Sequence, residues 1–200
     1  MKIFQIGFNK CGTNSICTLF DKYTDKNLKC VHWDEGLLAK TIKYNTTNQI
    51  YPILGKYNSY NVISDMEHSK KDEIILAHKD YFIQLDQSYP GAKFILNIRP
   101  IDNWIRSRLN HEQNHPNSYV DKYKKFFGLR STQDVIDLWR LHWKEHLHNV
   151  KKYFFKRNNL LVYDIEKDNF AKFSIFFPEL TFKINNLPKM NVTKNKKILT

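Results

Sequence analysis

Two periods of hydrophobic placement run along this chain, short apolar stretches and longer stripes in which apolar residues recur every three or four positions. Residues 2–8 (KIFQIGF) are apolar and bounded by Asn9, which predicts a buried strand. Ile16, Leu19, Phe20 and Tyr23 then fall at helical spacing and predict one face of a helix. Runs at 28–33 (LKCVHW) and 60–64 (YNVIS) predict a second and a third strand, with a helical stretch at 36–44 between them. From 72 to 89, Ile75, His78, Phe82 and Leu85 share one face, so a single helix is expected there. Residues 93–99 (KFILNIR) form the strongest strand pattern, and a helix over 101–111 follows it. The stretch 112–130 is polar, aromatic and basic without clear periodicity and reads as an insertion or lid. Ser131, with Asp134 three positions on, makes a weak capping box. It opens a long helix whose stripe is Val135, Trp139, Trp143, Leu147, Val150 and Phe154. Residues 160–165 predict a fifth strand, 170–177 a short helix, and 186–200 a basic tail.

Strands alternating with helices imply βαβ units, hence an α/β fold with a parallel sheet of about five strands flanked by helices. No internal repeat or boundary is visible, so residues 1–200 read as one domain. In such sheets ligands sit beyond the carboxyl ends of the strands, which is where chemistry is to be sought. Hydrophobic residues make up 42% and aromatics 14%, enough for a core, which excludes a disordered or low-complexity chain. No run of 18 apolar residues exists, and the first residues do not form a signal peptide, so a soluble protein is expected. Three cysteines, Cys11, Cys17 and Cys30, form no Cys-x-x-Cys pair and read as reduced thiols in a cytoplasmic setting. The 32 Lys and Arg against 20 Asp and Glu leave a net charge of +12. That charge suits an anionic partner: nucleic acid, a phosphorylated cofactor, or a sulfated or acidic substrate.

The segment Gly7-Phe8-Asn9-Lys10-Cys11-Gly12-Thr13-Asn14-Ser15 joins the first strand to the first helix. Its glycines let the backbone curl, and the amides of the following helix terminus suit a phosphate. It approaches G-x-x-x-x-G-K-[ST], but Thr13 stands at the lysine position and Asn14 at the magnesium-binding one. The lysine lies inside the loop instead, at Lys10. Lys10-x-Gly12-Thr13-x-Ser15 after an amino-terminal strand resembles the 5′-phosphosulfate loop of sulfotransferases that use 3′-phosphoadenosine-5′-phosphosulfate (PAPS). The second motif of that family, a strand ending in Arg and a helix carrying Ser eight residues on, is similar to 94–99 with Arg99 and Ser107. The matching blocks are 3–19 and 81–108, with weaker support from 160–164, a little under half of the chain.

The resemblance implies a P-loop-like sulfotransferase fold and transfer of a sulfuryl group from PAPS to a hydroxyl or amine, with no metal required. It implies that Lys10, Cys11, Gly12, Thr13, Asn14 and Ser15 hold the 5′-phosphate, with Lys10 beside the bridging oxygen as charge develops there. Arg99 would fork onto the 3′-phosphate and Ser107 would add a hydrogen bond. Where some family members place an adenine-stacking Trp, this chain has Ser15, so other residues must contact adenine. The acceptor proton needs a base after the second or the third strand. His32 is placed ahead of Asp65 because imidazole needs little tuning near neutrality. Asp34, Glu35, Glu67 and His68 stand close behind. The acceptor is read as a small molecule or a glycan, and the positive balance suits an anionic one.

Other patterns are set aside. His142-x-x-Glu145-His146 matches a zinc motif, but its helix already has a covering role and no third ligand is identifiable. The block 122–127 (KYKKFF) and the +12 charge would suit single-stranded nucleic acid, a less favoured partner. A lid over the acceptor, or a solvated loop, explains the same block. A small-molecule or nucleotide kinase is the runner-up enzyme. Lys189, Lys194, Lys196 and Lys197 could close over the 3′-phosphate, although a free tail is the commoner outcome.

Overall fold

The computed structural model describes residues 1–26, 28–111 and 117–190. Strand β1 (Ile3–Gln5) leads into helix α1 (Thr13–Lys22), then β2 (Cys30–His32), α2 (Leu37–Thr47) and β3 (Val62–Ser64). A hairpin of β4 (Glu67–Ser69) and β5 (Ile74–Leu76) follows, then short helices α3 (Ala77–Asp80) and α4 (Phe82–Ser88). Strand β6 (Lys93–Ile98), α5 (Ile101–Leu109), α6 (Tyr119–Phe127), α7 (Thr132–Tyr153), β7 (Leu160–Asp164) and α8 (Ala171–Phe176) complete the order. The main sheet has five strands, all parallel, ordered β2-β3-β1-β6-β7.

The alternation of side chains along each strand sends apolar groups to both faces, as a doubly covered sheet requires. Ile3, Val62, Ile95 and Leu161 pack with Ile16, Leu19 and Phe20 of α1 and Phe173 of α8 on one face. Phe4, Ile63, Phe94 and Leu96 pack on the other with Leu38 and Ile42 of α2 and Val150 of α7. A third cluster sits beyond the carboxyl ends of the strands, where Phe8, Trp104, Tyr123, Trp139 and Trp143 join α5, α6 and α7. Strand order reverses at β1, at the centre of the sheet.

Three expectations are corrected. The stretch 72–89 is not one helix, because Ile74–Leu76 pairs antiparallel with Glu67–Ser69 before the chain turns helical. The spacing of Ile75, His78, Phe82 and Leu85 arises where a strand runs into two short helices, all packed on one core. The stretch 112–130 contains α6, capped by Ser118, whose side chain accepts from the Asp121 amide; its buried anchor is Tyr123. Residues 112–116 lie outside the described residues. Cys17 and Cys30 are joined in a disulfide, their Cα atoms 5.8 Å apart, and only Cys11 is a free thiol. Helix α1 packs against β2 and brings together two cysteines that sequence spacing does not relate. The cytoplasmic expectation therefore loses its cysteine argument. No helix among the described residues is long and apolar enough to cross a membrane. The Ser131–Asp134 capping box forms in full at the head of α7.

Candidate active site

The loop after β1 is shaped by what it must approach. A side chain at Gly7 would meet the Asn97 carbonyl of β6 at 2.0 Å, so only glycine fits. Asn97, fully buried, accepts from the Gly7 amide at 3.0 Å and donates to the Cys11 carbonyl at 2.8 Å, tying the two ends of the loop to the neighbouring strand. Gly12 takes a left-handed φ of 75° and begins α1, which no side chain caps. Gly12, Thr13, Asn14 and Ser15 therefore turn an uncapped helix terminus, with its partial positive charge, into a cleft of about 790 Å³.

Lys10, Asn14, Ser15, His32, Asp65, Arg99 and Ser107 all line this cleft together with Gly12 and Thr13. Cys11 does not: its side chain is buried in the third cluster, burial pushes its thiol well above the usual range, and only its carbonyl serves the loop. Lys10 sits at a φ of 62° with its Nζ 3.3 Å from His111 Nδ1. Trp33, Glu35 and Asp65 also line the cleft at left-handed φ values of 63°, 54° and 52°. Backbone strain of this kind, about 1–3 kcal/mol per residue, gathers at functional sites. At the next position a side chain on Gly36 would strike His68 Nδ1 at 2.3 Å, so this tight turn is packed against β4.

The two candidate bases lie at the ends of adjacent strands, His32 Nε2 3.8 Å from Asp65 Oδ2. Burial pushes the His32 imidazole down to about 4, leaving it neutral and weakly basic at pH 7. Burial, helped by the Glu67 charge, pushes the Asp65 carboxyl up to about 7, against the pull of Arg108, Lys10 and a hydrogen bond from Thr13. Its Oδ1 has no hydrogen-bond partner among the described residues. By ordinary values His32 stands ahead of Asp65; here burial lowers the imidazole and raises the carboxyl toward neutrality.

Arg99 stands where β6 ends. One terminal nitrogen donates to the Lys10 carbonyl at 3.1 Å, the other is ion-paired to Glu166 just after β7, and its buried Nε has no partner among the described residues. The open fork expected from the sequence is thus closed on a carboxylate. Deeper in, Arg108 is fully buried and grips Glu67 through two bonds of 3.1 and 3.3 Å. It also donates to Asn9 Oδ1 at 2.8 Å, and Asn9 donates to the Tyr119 hydroxyl at 2.8 Å. The rings of Trp104, Tyr119, Tyr123 and Trp139 surround its guanidinium at 4.4–5.3 Å. Asn9, Asn97, Arg108 and Glu166 were not among the residues the sequence singled out for the site. A polar Asn inside the apolar run 93–98 was the one signal available.

The tail also departs from expectation. Residues 187–190 line the cleft, and the Met190 amide donates to Ser15 Oγ at 3.3 Å. Lys194, Lys196 and Lys197 lie outside the described residues. The zinc-like pair on α7 does not face this cleft. His146 is buried and its Nε2 donates to the Ile6 carbonyl at 2.6 Å.

Compared with known families, residues 2–174 match the one described as a sulfotransferase domain. No curated protein matches the chain.

Proposed function

The chain belongs to the sulfotransferase-domain family, and from that premise we propose that it moves a sulfuryl group from PAPS to a hydroxyl or amine acceptor, releasing 3′,5′-ADP. One observation carries the reading: Lys10 and Gly12 to Ser15 from the first motif share a single cleft with Arg99 and Ser107 from the second. The residues present fit the donor. An uncapped helix terminus and Lys10 suit a phosphosulfate, and the unsatisfied Nε of Arg99 suits a further phosphate. PAPS, when bound, supplies the sulfuryl group and its leaving phosphate.

Sulfuryl transfer needs positioning and charge neutralisation more than covalent help from the protein, by analogy with phosphoryl transfer. Lys10 supplies positive charge for the departing phosphate. Asp65 takes the acceptor proton, because a carboxyl near 7 is matched to neutral pH whereas an imidazole near 4 is too weak a base. His32 orients the site beside it, its Nδ1 3.3 Å from Ser64 Oγ.

Calorimetry tests the reading directly. The protein should bind 3′,5′-ADP more tightly than 5′-AMP by about 2–4 kcal/mol if two charge-assisted contacts distinguish them. Lys10→Met should lower turnover about 10²-fold while 3′,5′-ADP affinity falls less. Equal affinity for the two nucleotides overturns the assignment.

A further inference from the structure

The ion pair that closes Arg99 is not explained by the proposed chemistry. Glu166 lies two residues past the end of β7, and its amide is fixed by a hydrogen bond to Asp164 Oδ1 at 3.0 Å. One carboxylate oxygen pairs with Arg99, and the other accepts from Asn103 Nδ2 at 2.6 Å. Asn103 sits on α5 one turn before Ser107, and Arg99, Asn103, Arg106 and Ser107 all line the cleft. A carboxylate thus occupies two donors of the face expected to receive the 3′-phosphate. The pair is partly solvated, its side chains 21% and 28% exposed, so solvent screens it and it can exchange.

We propose that Glu166 tempers the affinity of the donor site, an internal anion that a 3′-phosphate must displace from Arg99 and Asn103. This rests on the PAPS reading above. A phosphate carries more charge than a carboxylate and can take up the unsatisfied Arg99 Nε as well, so it gains from the exchange. A nucleotide with a plain 3′-hydroxyl offers no anion, leaves the pair intact and gains nothing there. Glu166 also keeps the guanidinium from capturing any passing anion. Without it, small oxyanions would compete for the site. The carboxylate therefore lowers the affinity of this face for a 3′-phosphate and for small oxyanions alike, and holds the margin between 3′,5′-ADP and 5′-AMP below what the free guanidinium would give.

The test uses Glu166→Gln, which preserves size and the contact with Asn103 but removes the charge. In the full-length variant, 3′,5′-ADP should bind about five- to tenfold tighter, with 5′-AMP affinity changed less than about twofold. Inorganic sulfate should compete with 3′,5′-ADP at lower concentration than in the wild type. In an Arg99→Met background the tightening should largely vanish, because the competition acts through that guanidinium. If the wild type separates the two nucleotides but Glu166→Gln leaves 3′,5′-ADP unchanged or weaker, Glu166 is not a competitor and the proposal falls alone. Full tightening that persists in Arg99→Met also overturns it, since the effect would then be general charge. A wild type that binds both nucleotides equally removes the PAPS reading, and this proposal with it.

Discussion

Asp65 sits at a left-handed φ, its side chain largely buried, beside the carboxylate of Glu67, and each of these features works against its ionisation or its stability. With its carboxyl raised from an ordinary 3.8 to about 7, the folded protein holds a proton between these values that the unfolded chain has released. Stability attributable to Asp65 therefore falls as pH rises through that window and stays low above it. Asp65→Asn should accordingly stabilise the protein at pH 8 by about 1–3 kcal/mol in urea melts, with little gain near pH 4. The same change should lower kcat by about 10²-fold or more, the scale of losing a general base. Wild-type kcat/KM should rise through about pH 7 as the carboxyl ionises. A gain in stability over wild type no larger at pH 8 than at pH 4, or an acid limb that persists in the variant, would remove Asp65 from this role. The sequence showed both His32 and Asp65 as candidates, and their ordinary pKa values put His32 first. Ranking depends on desolvation and on Glu67, Arg108 and Thr13 meeting at one point, and none of these is local in the chain.

The strand-to-helix loop holds its shape because β6 supports it through one buried amide. Asn97→Ala should leave both the Gly7 N–H and the Cys11 carbonyl without partners, and unsatisfied buried groups cost about 1–3 kcal/mol each. A loss of about 2–4 kcal/mol in urea-induced unfolding is expected, together with weaker 3′,5′-ADP binding, because the phosphate loop is no longer tied down. Full stability with Ala at this position would mean that the loop is held by other contacts. Elements whose pattern is local were legible: β1, β6, β7 and α7 fall inside the expected segments, and the cap at Ser131 forms as read. The β4–β5 hairpin was hidden because its three-residue strands are too short to set a period, and Ile75 fitted a helical stripe by coincidence. Helix α6 was hidden for a different reason. It buries one residue fully, Tyr123, and its exposed Phe126 and Phe127 blur the contrast between faces on which periodicity depends.

Four imidazoles tie the stability of the whole molecule to pH, in the sense opposite to Asp65. Burial pushes His32 and His142 down to about 4, and His78 and His146 down to about 3. His146 donates through Nε2 to the Ile6 carbonyl and His78 through Nδ1 to the Met66 carbonyl. The other nitrogen of each has no partner among the described residues, so a second proton would place an unmatched charge in the core. The sign follows from linkage. These groups have depressed folded values, so the unfolded chain binds protons between about pH 6.5 and 4 that the folded one refuses. Their contribution to stability is present above pH 6.5 and is lost as pH falls. Near pH 5 the four histidines favour unfolding by up to four protons and Asp65 offsets one, a net slope of about 4 kcal/mol per pH unit. The formal charge of +12 at pH 7 grows as carboxylates protonate, and self-repulsion acts in the same direction. The protein should therefore lose most of its stability between about pH 6 and 4.5, well before ordinary carboxylates titrate fully. Urea melts at pH 7, 5.5 and 4.5 should show this, and salt should relieve only the repulsive part. His146→Phe, which fills the same core position without a titrating group, should flatten the slope by about one proton even if its own packing lowers stability overall. A stability that is flat from pH 7 to 5 would show that these histidines accept protons in the folded state, and that the apolar cluster around Phe8 is open to water.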